Sequence, residues 1–285
     1  MKFNKTILYK IFFSVLFIIF LFYFVRPKEI VEAFAQAKIS WILISFLLLP
    51  LNLFLQFLRW KSFVVTINKN VPNSEIIKSI LYSFSYSIFT PARLGEIGRA
   101  FHISNSKKDE LIVLAFYEKF FTFSSLLFFV LLSLGFFKNN LYFLGVFVLI
   151  PIIFRSKSLG KIIPYIRKYK QILKEVNILK VFLISMIFVF VYIFQFYLIL
   201  NAFKNVQFFR SIFMISLVIF FNSLPITLSG LGIRELLSVY FFKDLGVSPG
   251  SATSAAFIIF CINILIPTFI GFILHLVPKK INKNI

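Results

Sequence analysis

Apolar residues run in long stretches through this chain, at roughly 7–25, 39–58, 111–137, 179–203 and 251–277. A helix rising about 1.5 Å per residue needs stretches of this length to cross a hydrocarbon core of ~30 Å, so the pattern predicts five spanning helices. A shorter run, Leu141 to Phe154, reaches only about 21 Å as helix and is expected to be a sixth span that borrows neighbours or sits in thinned bilayer. Two further apolar segments, about 76–91 and 211–228, run into glycine-centred polar breaks. The breaks read Thr90-Pro-Ala-Arg93-Leu-Gly95-Glu96-Ile-Gly98-Arg99 and Thr227-Leu-Ser-Gly230-Leu-Gly232-Ile-Arg234-Glu235. Irregular backbone at membrane depth is tolerated only where protein or a water-filled cavity covers it, so each break points to a site.

Composition agrees with the pattern. The chain is 60% hydrophobic, and a soluble surface cannot be built from such a composition. Its 43 Phe are expected on the lipid face rather than in a binding box. Cys261 is the single cysteine, which excludes an intramolecular disulfide and a CxxC or four-ligand zinc arrangement. No metal or cofactor is implied.

The net charge of +21 would suggest nucleic acid in a soluble protein. Beside apolar spans it reads instead as topology signal and as attraction to an anionic membrane surface, with no nucleic-acid partner. If both broken segments crossed fully with the N-terminus inside, the loop 155–180, with eight Lys/Arg, would face outward against the positive-inside rule. Making both re-entrant puts 22 basic residues inside and eight outside, with Lys119 within a span. The first broken segment then enters from the cytoplasm and the second from the opposite face. The expected fold is thus an all-α polytopic membrane protein, with about six spanning helices and two broken, re-entrant segments in an inverted-repeat arrangement. One integral membrane domain covers residues 1–285, with halves at about 39–137 and 179–277 and a basic cytoplasmic connector at 155–178. Both termini are expected in the cytoplasm, the N-terminal run as an uncleaved span.

Only ten acids are present. Glu96 and Glu235 sit in the breaks, and Glu118 lies about 10 Å into the helix beginning at Leu111. A charge at that depth faces protein or water and has a partner. Arg93, Arg99 and Arg234 are the natural partners. They are also natural phosphate ligands, because a planar guanidinium binds such anions through two parallel bonds. Gly95, Gly230 and Gly232 allow sharp turns that expose N–H groups at the start of the next helix, where the dipole favours an anion. The plainer alternative makes Arg93 and Arg99 cytoplasmic anchors, with Glu96 and Glu235 neutralising their neighbours. Arg59-Trp60-Lys61 has the form of an interfacial anchor, and His102 and His275 are expected to be interfacial rather than ligands. No HExxH, GxSxG or GxxxxGK[ST] pattern occurs, so no catalytic set is assigned, ATP hydrolysis by this chain is unsupported, and transport would be downhill, ion-coupled or driven by a partner.

The chain resembles the lysylphosphatidylglycerol synthase transmembrane-region family, whose members are called flippase-like. The resemblance rests on Arg59-Trp60, Pro91-Ala-Arg93-Leu-Gly95-Glu96 with Arg99-Ala100, Glu118, and Gly230-Leu-Gly232-Ile-Arg234-Glu235, in that order. Ser229, Lys119 and Cys261-Ile-Asn263 depart from its pattern. The resemblance implies a lipid-translocating domain of the cytoplasmic membrane. It does not imply aminoacyl transfer, because 285 residues leave no room for the soluble catalytic domain. The expected partner is a phospholipid or phosphate-linked glycolipid whose headgroup meets Arg93, Gly95, Glu96, Arg99, Glu118, Gly230, Gly232, Arg234 and Glu235. A membrane-embedded lipid or glycan transferase, with Glu96 or Glu118 as base, would use the same residues. A non-catalytic scaffold for a separately encoded protein partner is the third reading.

Overall fold

A computed structural model describes residues 26–90, 93–104, 106–137, 145 and 170–276. The expected spans at 7–25 and, apart from Gly145, 141–154 lie outside the described residues, as do Pro91, Ala92, the connector up to residue 169 and both termini. In chain order the helices are α1 (Pro27–Gln36), α2 (Ile39–Leu47), α3 (Leu49–Ile67), α4 (Asn73–Ser87), a 3₁₀ helix (Leu94–His102), α5 (Lys108–Phe137), α6 (Lys170–Glu175), α7 (Ile178–Phe203), α8 (Phe208–Asn222), α9 (Ile233–Phe242), α10 (Pro249–Phe260) and α11 (Ile266–Leu276).

Four stretches among the described residues are long and apolar enough to cross a membrane: Ile39–Ile67, Lys108–Gly135, Ile178–Phe203 and Pro249–Leu276. They coincide with four of the five long runs in the sequence. Two are jointed. Leu48 separates α2 from α3, with Pro50 in the first turn of α3, where its missing N–H costs nothing. A π-helical turn, Cys261–Leu265, joins α10 to α11 just before Pro267, and its wider winding absorbs the hydrogen bond that the proline cannot make. The turn also aims Asn263 inward. Asn52 on α3 donates to Asn263 Oδ1 at 3.1 Å and to Gln195 of α7, tying three helices through buried amides. Outward, Leu43, Leu47, Leu51 and Phe54 line one exposed stripe of α2–α3, and Leu179, Leu183, Ile187 and Phe190 another on α7. Spacings of three and four residues put each set on one helical face, as a lipid-facing side requires.

α4 and α8, at 15 residues each, reach only about 22 Å. Both end in a break and pack against the helix that follows, α4 on the 3₁₀ helix and α8 on α9. The resulting hairpins open at different ends of the bundle. Asn68, just past α3, bonds Ser106, and Glu75 accepts from Ser104, gathering the mouth of the first hairpin where α3 stops. The Lys38 N–H, just before α2, bonds the Ala202 carbonyl at 2.8 Å, and Lys204 reaches the Gly246 carbonyl, gathering the mouth of the second where α2 starts. Each hairpin rests on its own apolar cluster, one around Trp60, Phe63, Phe84 and Phe121, the other around Phe196, Ile215, Phe242 and Ile259.

Candidate functional site

The tips of the hairpins meet. Ser229 N–H donates to the Thr90 carbonyl at 3.2 Å, and its hydroxyl lies 3.0 Å from the carbonyls of both Ser87 and Ile88. Among the described residues, each tip holds one non-glycine residue with a left-handed backbone, Arg93 (φ 56°) and Ser229 (φ 48°), a conformation that persists only where surrounding contacts impose it. Glycines make the turns possible. A Cβ on Gly95 would fall 2.5 Å from the Tyr86 carbonyl oxygen, so the close return of the 3₁₀ helix along α4 admits no side chain. Gly230 and Gly232 adopt φ +77° and +81°, which disfavours any residue with a Cβ.

Two connected ion-pair groups sit behind the first tip. Glu118 of α5 is 1% exposed and bridges Arg59 Nε at 2.7 Å and Arg99 Nη1 at 2.9 Å. Glu96, on the 3₁₀ helix, holds Arg93 and Lys119, one on each carboxylate oxygen, both at 2.5 Å, with Arg99 Nη2 at 3.5 Å. Aromatic faces carry three of the cations further: Arg59 lies 4.7 Å from the Phe188 ring centre, Arg93 5.1 Å from Phe84 and Arg99 5.1 Å from Trp60. The expectation that Arg59 and Trp60 are interfacial anchors is overturned. Both are buried, and Trp60 Nε1 donates to Ser79 Oγ at 3.1 Å. A Trp-Arg pair at the end of an apolar run looks the same whether it meets headgroups or a buried acid.

At the second tip, Glu235 caps α9 by accepting from the Gly232 N–H at 2.8 Å, and it also accepts from Arg234 Nε at 3.1 Å. Arg234 stacks 4.7 Å from the Phe260 ring centre and keeps an unpaired Nη1. Thr90 Oγ1 accepts from the Gly95 N–H at 2.7 Å. The Gly95 and Gly232 N–H groups thus close their own loops, and internal oxygens occupy the anion-binding positions expected at these two glycines.

A cavity of about 260 Å³ lies beside the meeting tips. Arg93, Lys119 and Thr122 line it from one half of the chain, Asn222, Ser223 and Ser229 from the other, and Tyr192 of α7 completes its polar wall. Phe123, Leu126 and Phe188 contribute to the apolar remainder. Arg234 and Glu235 do not line it, although Tyr192 lies within electrostatic reach of Arg93, Arg234 and Glu235. The structure therefore gathers Arg93, Glu96, Arg99 and Glu118 in one network and leaves Gly230, Gly232, Arg234 and Glu235 as a separate cap. Lys119 and Tyr192 went unread in the sequence as site residues. Lys119 could have been found by noting a second charge beside Glu118 within a span; one Tyr in an apolar run carries no such signal. His102 and His275, distant in sequence, come to a ring separation of 5.8 Å around Tyr82.

Residues 7–271 match the family described as the lysylphosphatidylglycerol synthase TM region. The chain belongs to this family. Membership in the lysylphosphatidylglycerol synthase transmembrane-region family, together with the four long apolar helices, makes it an integral membrane protein related to lipid modification or flipping. No curated protein gives a significant match to the sequence.

Proposed function

We propose that this family member binds a phosphate-bearing lipid headgroup in the cavity between the hairpin tips and passes it across the bilayer, its acyl chains remaining in lipid. The observation that carries the reading is the shared chamber: cations from the first half and hydroxyl and amide groups from the second face one space beside the point where two short hairpins touch. Arg93 supplies the guanidinium, with an Nε–H that has no partner, and Lys119 a second cation; Glu96 holds both in place. Arg99 and Glu118 brace Glu96 and Arg59 from behind, and Glu235 fixes the second tip through Gly232. The opposite openings of the hairpins support an inverted repeat, the first entered from the cytoplasm and the second from the other face of the cytoplasmic membrane.

The test is translocation of labelled lipid in liposomes holding the purified chain. Arg93→Ala should slow headgroup transfer by roughly tenfold or more, as expected when a charged hydrogen bond to phosphate is lost. Rates equal to the unaltered protein would remove Arg93 from the route.

A further inference from the structure

The charge of the site singles out one class of headgroup. Among the described residues, Arg59, Arg93, Arg99 and Lys119 form one connected network with just two carboxylates, Glu96 and Glu118. Four cations against two anions leave a surplus of two positive charges. Arg59, Arg99, Glu96 and Glu118 are buried, so solvent reaches the network mainly through Arg93 and Lys119, whose side chains are 24% and 26% exposed. Those are the two cations that line the cavity. Uncompensated charge of one sign is costly away from water, and the cavity is where a counter-ion would relieve it.

The cavity wall also offers a cationic headgroup no counter-charge. No carboxylate lines it among the described residues, because Glu96 stands behind Arg93 and Lys119. Its Phe188 ring already carries the Arg59 guanidinium at 4.7 Å, an aromatic face that would otherwise suit a quaternary ammonium. Leu126, Val189, Ile219 and Ile264 make much of the rest of the wall apolar.

Resting on the proposed lipid-binding reading, we infer that the cavity selects phosphate monoesters, which carry close to two negative charges at neutral pH, over zwitterionic phosphodiesters. A monoester matches the surplus of two and presents three acceptor oxygens to Arg93 and Lys119. A choline or ethanolamine diester brings no net charge, and its amine meets only cations.

Affinities of the full chain in detergent decide the matter, with dioctanoyl phosphatidic acid, phosphatidylglycerol and phosphatidylcholine as probes and sodium phosphate as competitor. The expected order is phosphatidic acid first and phosphatidylcholine last, separated by about tenfold or more. Lys119→Gln, which cuts the surplus to one, should narrow that gap to about threefold, and Glu96→Gln should widen it. Equal affinities, or tighter phosphatidylcholine, would overturn the inference on the unaltered protein, even if both variants fail to fold. Sodium phosphate that displaces the lipid at matching concentration would make the free anion the ligand and overturn the lipid assignment; failure to compete supports the lipid. Monoester preference without translocation in liposomes would defeat the transport reading and leave the selectivity standing. Translocation of all three lipids at like affinity would do the reverse.

Discussion

Removing the charge of Glu118 would strand two buried guanidinium groups, Arg59 and Arg99, with one counter-charge fewer. Breaking a buried pair in this way costs about 3–5 kcal/mol, so Glu118→Gln should lower the unfolding free energy in detergent by that order. Glu32→Gln serves as the comparison, since its pair with Lys28 is largely exposed and should be worth at most about 1 kcal/mol. Similar small losses for both would mean that Arg59 and Arg99 are hydrated in place. Glu118 was legible because a lone acid inside an apolar run demands a partner. Its partners were only half legible. Arg99 lies in a marked break, whereas Arg59 ends a span in a setting that serves equally for a headgroup anchor. Tyr192 was not legible, because nothing in a linear string of apolar residues distinguishes the turn of α7 that faces the chamber.

At the level of elements, the two 15-residue helices fall short of a ~30 Å core, and from the polar break after each the chain packs back on it. What the string did not reveal is how the turns hold each other. Ser229 holds a backbone angle that strains a side chain, and its hydroxyl and N–H bind the other tip. Two substitutions separate these effects. Ser229→Gly relieves the strain while losing the hydroxyl; Ser229→Ala keeps the strain and loses the same hydroxyl. The alanine variant should therefore be the less stable by about 1 kcal/mol or more in thermal or denaturant unfolding. The opposite order would show that the left-handed conformation at Ser229 is not the source of strain.

For the whole molecule, the charge bias and the hairpin mouths make the same forecast. Asn70, beside the first mouth, and Asp244, beside the second, are both exposed. In a Cys261→Ser background, Asp244→Cys should react with a membrane-impermeant maleimide in intact cells, and Asn70→Cys only after permeabilisation. Labelling of both from one side would rule out the inverted arrangement. The apolar runs made the long spans readable, yet the distribution of Lys and Arg could speak only to sides, not to which faces of α5 and α7 enclose the chamber. The contact between the hairpin tips has an electrical consequence. On the proposed route an anionic headgroup passes the seam where Ser229 meets Ser87, Ile88 and Thr90, and its charge then moves through the membrane potential at ~2.3 kcal/mol per elementary charge per 100 mV. Valinomycin-imposed diffusion potentials of opposite sign should then speed and slow the passage of an anionic headgroup severalfold, and a rate indifferent to voltage would mean that the charge crosses already neutralised.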